Sequence, residues 1–222
     1  MPSVKMPRHN TDTDMTPFVD VAFLILSFFM LATKFKPPEK IPIKTPGSVL
    51  ADKLPENDAV MMTIDSSDRV FFSVLSQKEP KIKVEVLKKL NTIRGLNLTD
   101  AQMEKFKNIY MVGVPLASLG KFLDLSAEEQ KTYKDPGIPV LDSATNEMVW
   151  WINASIAAFA DRGIKLTNFL LKGDGESKFP TLEGIVSAME RNEEFKYQLI
   201  TALEGVPTSS ELDKFNKKPK GK

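Results

Sequence analysis

Residues 16–33 read TPFVDVAFLILSFFMLAT, and this stretch decides the architecture of the 222-residue chain. Sixteen residues follow Pro17, and among them only Asp20 carries an ionisable side chain. At about 1.5 Å of rise per residue, a helix over the whole 18-residue stretch is about 27 Å long, close to the roughly 30 Å hydrocarbon core of a bilayer. Thr16 suits the N-cap. Pro17 suits the first helical position, where its missing N–H would have no partner anyway. Asp12 and Asp14 precede the run and Lys34 and Lys36 follow it. The segment reads as a single transmembrane helix, Thr16 to Thr33.

A carboxylate in such a helix needs a reason, because an ionised Asp at mid-membrane depth costs about 2.5–3.5 kcal/mol on insertion scales. Asp20 lies one turn from the start, so one reading has it snorkelling to the interface beside the positive helix N-terminus. The other begins from Thr16, four residues before it, and Ser27, seven after it, which place three polar residues on one face. The remaining faces are Phe, Leu, Ile and Met. A polar stripe calls for a partner helix or a wet path. On this reading Asp20 is a protonatable group in a proton pathway, with Thr16 and Ser27 as polar neighbours.

The stretch DMTPFVDVAFLILSFFML resembles the transmembrane motif of the ExbD/TolR family, whose signature is close to TP-F-[IV]-D-V followed by an apolar run. The resemblance implies the proton-carrying subunit of an inner-membrane motor that energises the outer membrane of Gram-negative bacteria. It puts Asp20 at the proton-carrying position. It also implies a ring of an ExbB-like membrane protein as partner, a TonB-like protein to receive the motion, and a homodimer. The N-terminus is then cytoplasmic and the C-terminal domain periplasmic. Charge alone points the other way: Lys5 and Arg8 precede the helix, whereas Lys34, Lys36, Lys40 and Lys44 follow it. The topology adopted here follows the motif.

Composition removes several function classes. The chain has no cysteine, so it carries neither a disulfide framework nor a thiolate metal site. Its one histidine, His9, lies in a polar tail, which leaves no His-based triad or metal site for a folded domain. No P-loop, GxGxxG or HExxH pattern occurs. A net charge of +1 argues against nucleic acid as a partner. Composition thus leaves an enzyme reading weak and calls for no cofactor, while the family resemblance implies a protein without covalent chemistry, with protons as the coupling ion. A cleaved signal peptide fits poorly, because the apolar run is long, contains Asp20 and ends without a small-residue cleavage site.

The rest of the chain divides into a cytoplasmic tail (1–15), the membrane helix (16–33), a Pro-rich extended linker (34–58), a periplasmic domain (59–207) and a basic tail (208–222). In the linker, IPIKTP resembles the family segment that adds to a sheet edge or packs near the pore, so it reads either as a spacer or as a docking segment. Residues 59–75 read as a hairpin, with Val60, Met62 and Ile64 answered by Val70, Phe72 and Val74 across a Ser66–Asp68 turn. Residues 77–143 depart from the family pattern and read as a helical insert forming a small subdomain. It holds a helix from Lys83 to Arg94 with Val86, Leu87, Leu90 and Ile93 inward and Gly95 as C-cap, and two further helices start at capping boxes, Thr99–Gln102 and Ser126–Glu129. The insert reads either as cover for the sheet or as a docking surface.

A helix capped by Asp142 or Ser143 runs to Asp161, with Val149, Ile152, Ile156 and Phe159 inward and Trp150 and Trp151 beside them as core. A strand over Leu166–Lys172, a turn at Gly173–Gly175 stabilised by Asp174, a helix over Thr181–Arg191 and a strand over Tyr197–Leu203 follow. With the insert set aside the order is β-β-α-β-α-β, an α+β fold with helices on one face of a mixed sheet. Three functions remain in play: an ExbD-like motor subunit, a TolR-like envelope-maintenance or motility motor subunit, and a periplasmic binding or structural protein merely tethered by its helix.

Overall fold

A computed structural model describes residues 15–32, 43–48, 55, 57–76 and 79–203. The expected cytoplasmic tail before Met15, the first part of the linker and the basic tail lie outside the described residues. The chain forms two compact units, residues 1–38 and 39–222. The first holds helix α1, Thr16–Ala32. The second holds all other elements and is α+β, as expected.

The sheet starts from the hairpin. Strands β2 (Ala59–Ile64) and β3 (Val70–Leu75) pair antiparallel in the expected register, Met62 opposite Phe72. Their turn is tied by Asp65, whose Oδ1 accepts from the N–H groups of Ser67 and Arg69, both at 2.9 Å. Asp68 completes the turn at φ 60°, a left-handed conformation that Asp tolerates better than most residues. Strand β4 (Asn168–Gly173) then joins β2 in parallel, and β5 (Gln198–Ile200) joins β4 in parallel. The order is β3-β2-β4-β5, a mixed sheet.

Alternation places Val60, Met62, Ile64, Phe72, Val74, Phe169 and Leu171 in one large cluster with the helices. The other face is covered too: every residue of β2 is buried, and Ala59, Met61 and Leu170 form a second small cluster. A hairpin with one wet face would show alternating burial, and β2 does not.

The expected insert shares this core. Helix α2 (Lys81–Arg94) buries Ile82, Val84, Val86, Leu87 and Leu90 in the same cluster as the sheet, packs mainly against α6 (Met148–Ala160), and ends at Gly95 in the left-handed conformation. Ile93, expected inward, is 39% exposed near the helix end. Both capping boxes form, opening α3 (Asp100–Phe106) and α5 (Ala127–Thr132). Between them α4 (Leu116–Asp124) adds Leu119, Phe122 and Leu123 to the core. Trp151 is fully buried with its ring 5.0 Å from that of Phe72 and 6.0 Å from that of Phe106, while Trp150 lies under the Arg94 guanidinium at 4.9 Å. Residues 77–143 therefore do not form a subdomain of their own.

Two further boundaries differ from expectation. Helix α6 starts at Met148, not after Asp142 or Ser143. Asp142 spends its carboxylate on Ala144 N–H and the Thr145 hydroxyl, closing a turn, and the side-chain oxygen of Asn146 accepts from Met148 N–H instead. After α7 (Phe179–Glu190), the expected strand Tyr197–Leu203 breaks at Thr201. Its end, β6 (Ala202–Leu203), leaves β4 and pairs in parallel with β1 (Gly47–Ser48) from the linker.

Candidate functional site

Helix α1 has no buried residue. Phe18, Val19, Phe23, Leu24, Leu26, Phe28 and Leu31 are all more than 60% exposed, an apolar surface without a partner among the described residues. The helix is 17 residues long, and Thr33, its expected last residue, lies outside the described ones. Among the described residues no helix is long and apolar enough to cross a membrane.

The helix opens with Met15 O accepting from Phe18 and Val19 N–H, both at 3.1 Å. Pro17 sits in the first turn, where it removes no intrahelical bond. At 3.6 residues per turn, Thr16, Asp20 and Ser27 fall within about 40° of one another, with Leu24 and Leu31 sharing their face. Asp20 is exposed and Ser27 half-buried. The Ser27 hydroxyl donates to Leu24 O at 2.9 Å, which leaves its oxygen able to accept. Asp20 and Ser27 are about 10 Å apart along the axis, too far for a direct bond. The face carries one carboxylate and two hydroxyl groups, those of Thr16 and Ser27.

A second constellation joins linker and domain. After β4 the chain turns at Asp174, a buried carboxylate. Its Oδ1 accepts from Glu176 N–H at 3.0 Å, and its Oδ2 accepts from Lys44 N–H at 2.9 Å. Those two backbone donors, with Lys44's charge nearby, hold the carboxyl below its ordinary range. Gly175 N–H donates to Lys44 O at 2.9 Å, and Ala202 N–H donates to Pro46 O at 2.9 Å. The linker thus enters a slot between the β4–α7 turn and β6. Sequence reasoning placed Asp174 in its turn but missed its second partner, 130 positions away.

No group of three or more His, Cys, Asp or Glu among the described residues could hold a metal ion. Neither the comparison with curated proteins nor that with solved structures gives a match. The family model described as Biopolymer transport protein ExbD/TolR matches residues 6–203, a span that takes in the Asp20 helix, the linker slot and the whole mixed-sheet domain. The chain belongs to the ExbD/TolR family.

Proposed function

We propose that this chain is the proton-carrying subunit of an inner-membrane motor, with Asp20 as the carrier. What supports the reading is α1 itself: one ionisable side chain on a polar face of an otherwise apolar helix that buries no residue among those described, in a member of a family of biopolymer-transport proteins. In this arrangement α1 spans the inner membrane inside an ExbB-like ring, as one of two copies. The N-terminal tail is cytoplasmic, and the domain from residue 59 onward is periplasmic. Asp20 takes a proton from the periplasmic side and releases it to the cytoplasm, and each charge crossing about 100 mV supplies about 2.3 kcal/mol. Protonation changes whether the side chain favours an apolar wall or a polar site, so the helix moves against the ring. Thr16 and Ser27 supply hydrogen-bonding positions along that path, and Pro17 sets the helix start. The domain passes the motion to a TonB-like protein, which energises outer-membrane transport. Nothing covalent is made or broken, and the proton is the only coupling species.

The test is Asp20→Asn in the native host, with membrane level and partner pull-down measured alongside. Loss of energised outer-membrane uptake to the level of a deletion strain, with the complex intact, is expected. Loss of detergent resistance with uptake intact would assign the TolR-like role. Normal uptake and normal envelope integrity with the complex intact would overturn Asp20 as the carrier and leave α1 a tether, which Asp20→Leu would then stabilise.

A further inference from the structure

On the face of α1 that carries Asp20, the residues run Thr16, Asp20, Leu24, Ser27 and Leu31 from the N-terminal end. Helical spacing puts Leu24 about 6 Å beyond Asp20 along the axis and about 4.5 Å short of Ser27, within about 60° of both around it. The side chain between the carboxylate and the Ser27 hydroxyl is therefore aliphatic, and it neither gives nor accepts a hydrogen bond. Leu24 is exposed, so it meets directly whatever lies beside this face.

Ser27 does not bridge the gap. Its hydroxyl proton is committed to Leu24 O at 2.9 Å. A group that passes a proton on accepts at one atom and donates at another, and Ser27 in this arrangement only accepts. It can hold a proton-bearing water on the C-terminal side of Leu24. Toward the N-terminus, the next residue on the face is Thr16, a hydroxyl one turn away. The face is thus polar on the N-terminal side of Asp20 and interrupted by Leu24 on the C-terminal side.

We propose that Leu24 is the dry barrier of the proton path, a positioning residue that separates Asp20 from water on the periplasmic side, so that proton transfer waits for α1 to move. The inference rests on the motor reading, in which α1 spans the membrane with its N-terminus in the cytoplasm. It deepens that reading by separating the group that carries the proton from the group that ties its transfer to motion. In the transfer a hydronium loses one O–H bond and the Asp20 carboxylate gains one. With Leu24 in place, the two meet only when movement of α1 sets polar groups of the ring beside Asp20. Without it, protons reach Asp20 with α1 at rest, and their flux does no work.

The experiment uses the full chain in the native host, as Leu24→Ser, Ile25→Ser and the double variant Leu24→Ser with Asp20→Asn, with membrane level and partner pull-down measured for each. Ile25 lies about 140° around the helix from Asp20, so Ile25→Ser adds the same hydroxyl away from the path. Two quantities are read: the rate at which the cytoplasm acidifies in acid medium, above that of a deletion strain, and the outer-membrane function that Asp20→Asn abolishes. Leu24→Ser should raise the acidification about tenfold, which is about 1.4 kcal/mol off the barrier, and should weaken the outer-membrane function. Ile25→Ser should match wild type in both, and the double variant should acidify no faster than the deletion strain. Leu24→Thr gives the same reading where Leu24→Ser assembles poorly. Wild-type acidification in an assembled Leu24→Ser or Leu24→Thr complex would overturn the barrier and leave Asp20 as the carrier. So would an equal rise in Ile25→Ser, which would mean a loosened helix, or failure of both Leu24 variants to assemble while Ile25→Ser does, which would make Leu24 a packing contact. A rise that survives Asp20→Asn would overturn the motor reading itself.

Discussion

Glu147 joins three segments through one residue. Its carboxylate Oε2 accepts from Leu116 N–H at 2.7 Å, its own N–H donates to Pro139 O at 3.0 Å, and its carbonyl accepts from Trp150 N–H at 3.1 Å. Helix α4 follows Pro115, which has no side chain able to cap it, so the carboxylate caps α4 from another part of the chain. Burial pushes this carboxyl above its ordinary value of 4.5, against the opposing pull of Leu116 N–H and Arg94. A carboxyl with a raised folded pKa takes up protons in the fold before it does so unfolded. Stability from this group therefore rises as pH falls from neutral through the folded pKa toward 4.5. Asp174 and Asp68 have lowered folded values, and the stability they contribute is lost only as pH falls below 3.8. Thermal unfolding of Glu147→Gln across pH 7 to 4.5 should show a flatter rise than wild type, whereas Glu147→Ala should cost about 1 kcal/mol by loss of the cap. An unchanged slope in Glu147→Gln would remove Glu147 as its source.

Among the elements, what could be read from sequence was what local chemistry settles. The hairpin register, both capping boxes and the Gly95 C-cap each depend on residues within a few positions of one another. The start of α6 was missed because Asp142 and Asn146 are both capable caps, and which is free depends on how the chain arrives there. The break at Thr201 was missed because β6 changes partner to a strand some 155 positions earlier in the chain. The Asp20 face was legible, since one charge in an apolar run and helical spacing suffice to define it. The slot was not, since Asp174, Gly175 and Ala202 meet only in the fold. Helix α2 shows the same limit within one element: periodicity put Leu87 and Ile93 on one apolar face, yet packing against α6 buries Leu87 completely and leaves Ile93 39% exposed. Leu87→Ala should therefore cost about 2–5 kcal/mol in denaturant unfolding, and Ile93→Ala about 0.5 kcal/mol or less. Equal losses would mean that the helix face turns further toward Ile93.

For the whole molecule, the insert covers one edge of the sheet. The sheet ends at β3 on one side and β5 on the other. At β3 the insert supplies cover: Phe72 and Val112 exchange both N–H···O bonds, at 2.8 and 2.9 Å, and Ile138 N–H donates to Val70 O at 2.8 Å. Gly137 makes this return possible, with φ 93° and Arg69 backbone 3.1 Å from where a Cβ would lie. Gly113, beside Val112, leaves room for the buried Phe71 ring that any Cβ would strike. An uncovered edge offers unpaired backbone groups to other chains and invites association. Val112→Pro tests this at one atom, because it deletes the N–H that reaches Phe72 O and leaves the rest of the insert in place. In detergent the full chain should lose about 1–3 kcal/mol. Light scattering should also show mass growing with concentration beyond the wild-type assembly. A Val112→Pro protein with wild-type stability and wild-type mass would mean that residues 111–114 lie against β3 without protecting it.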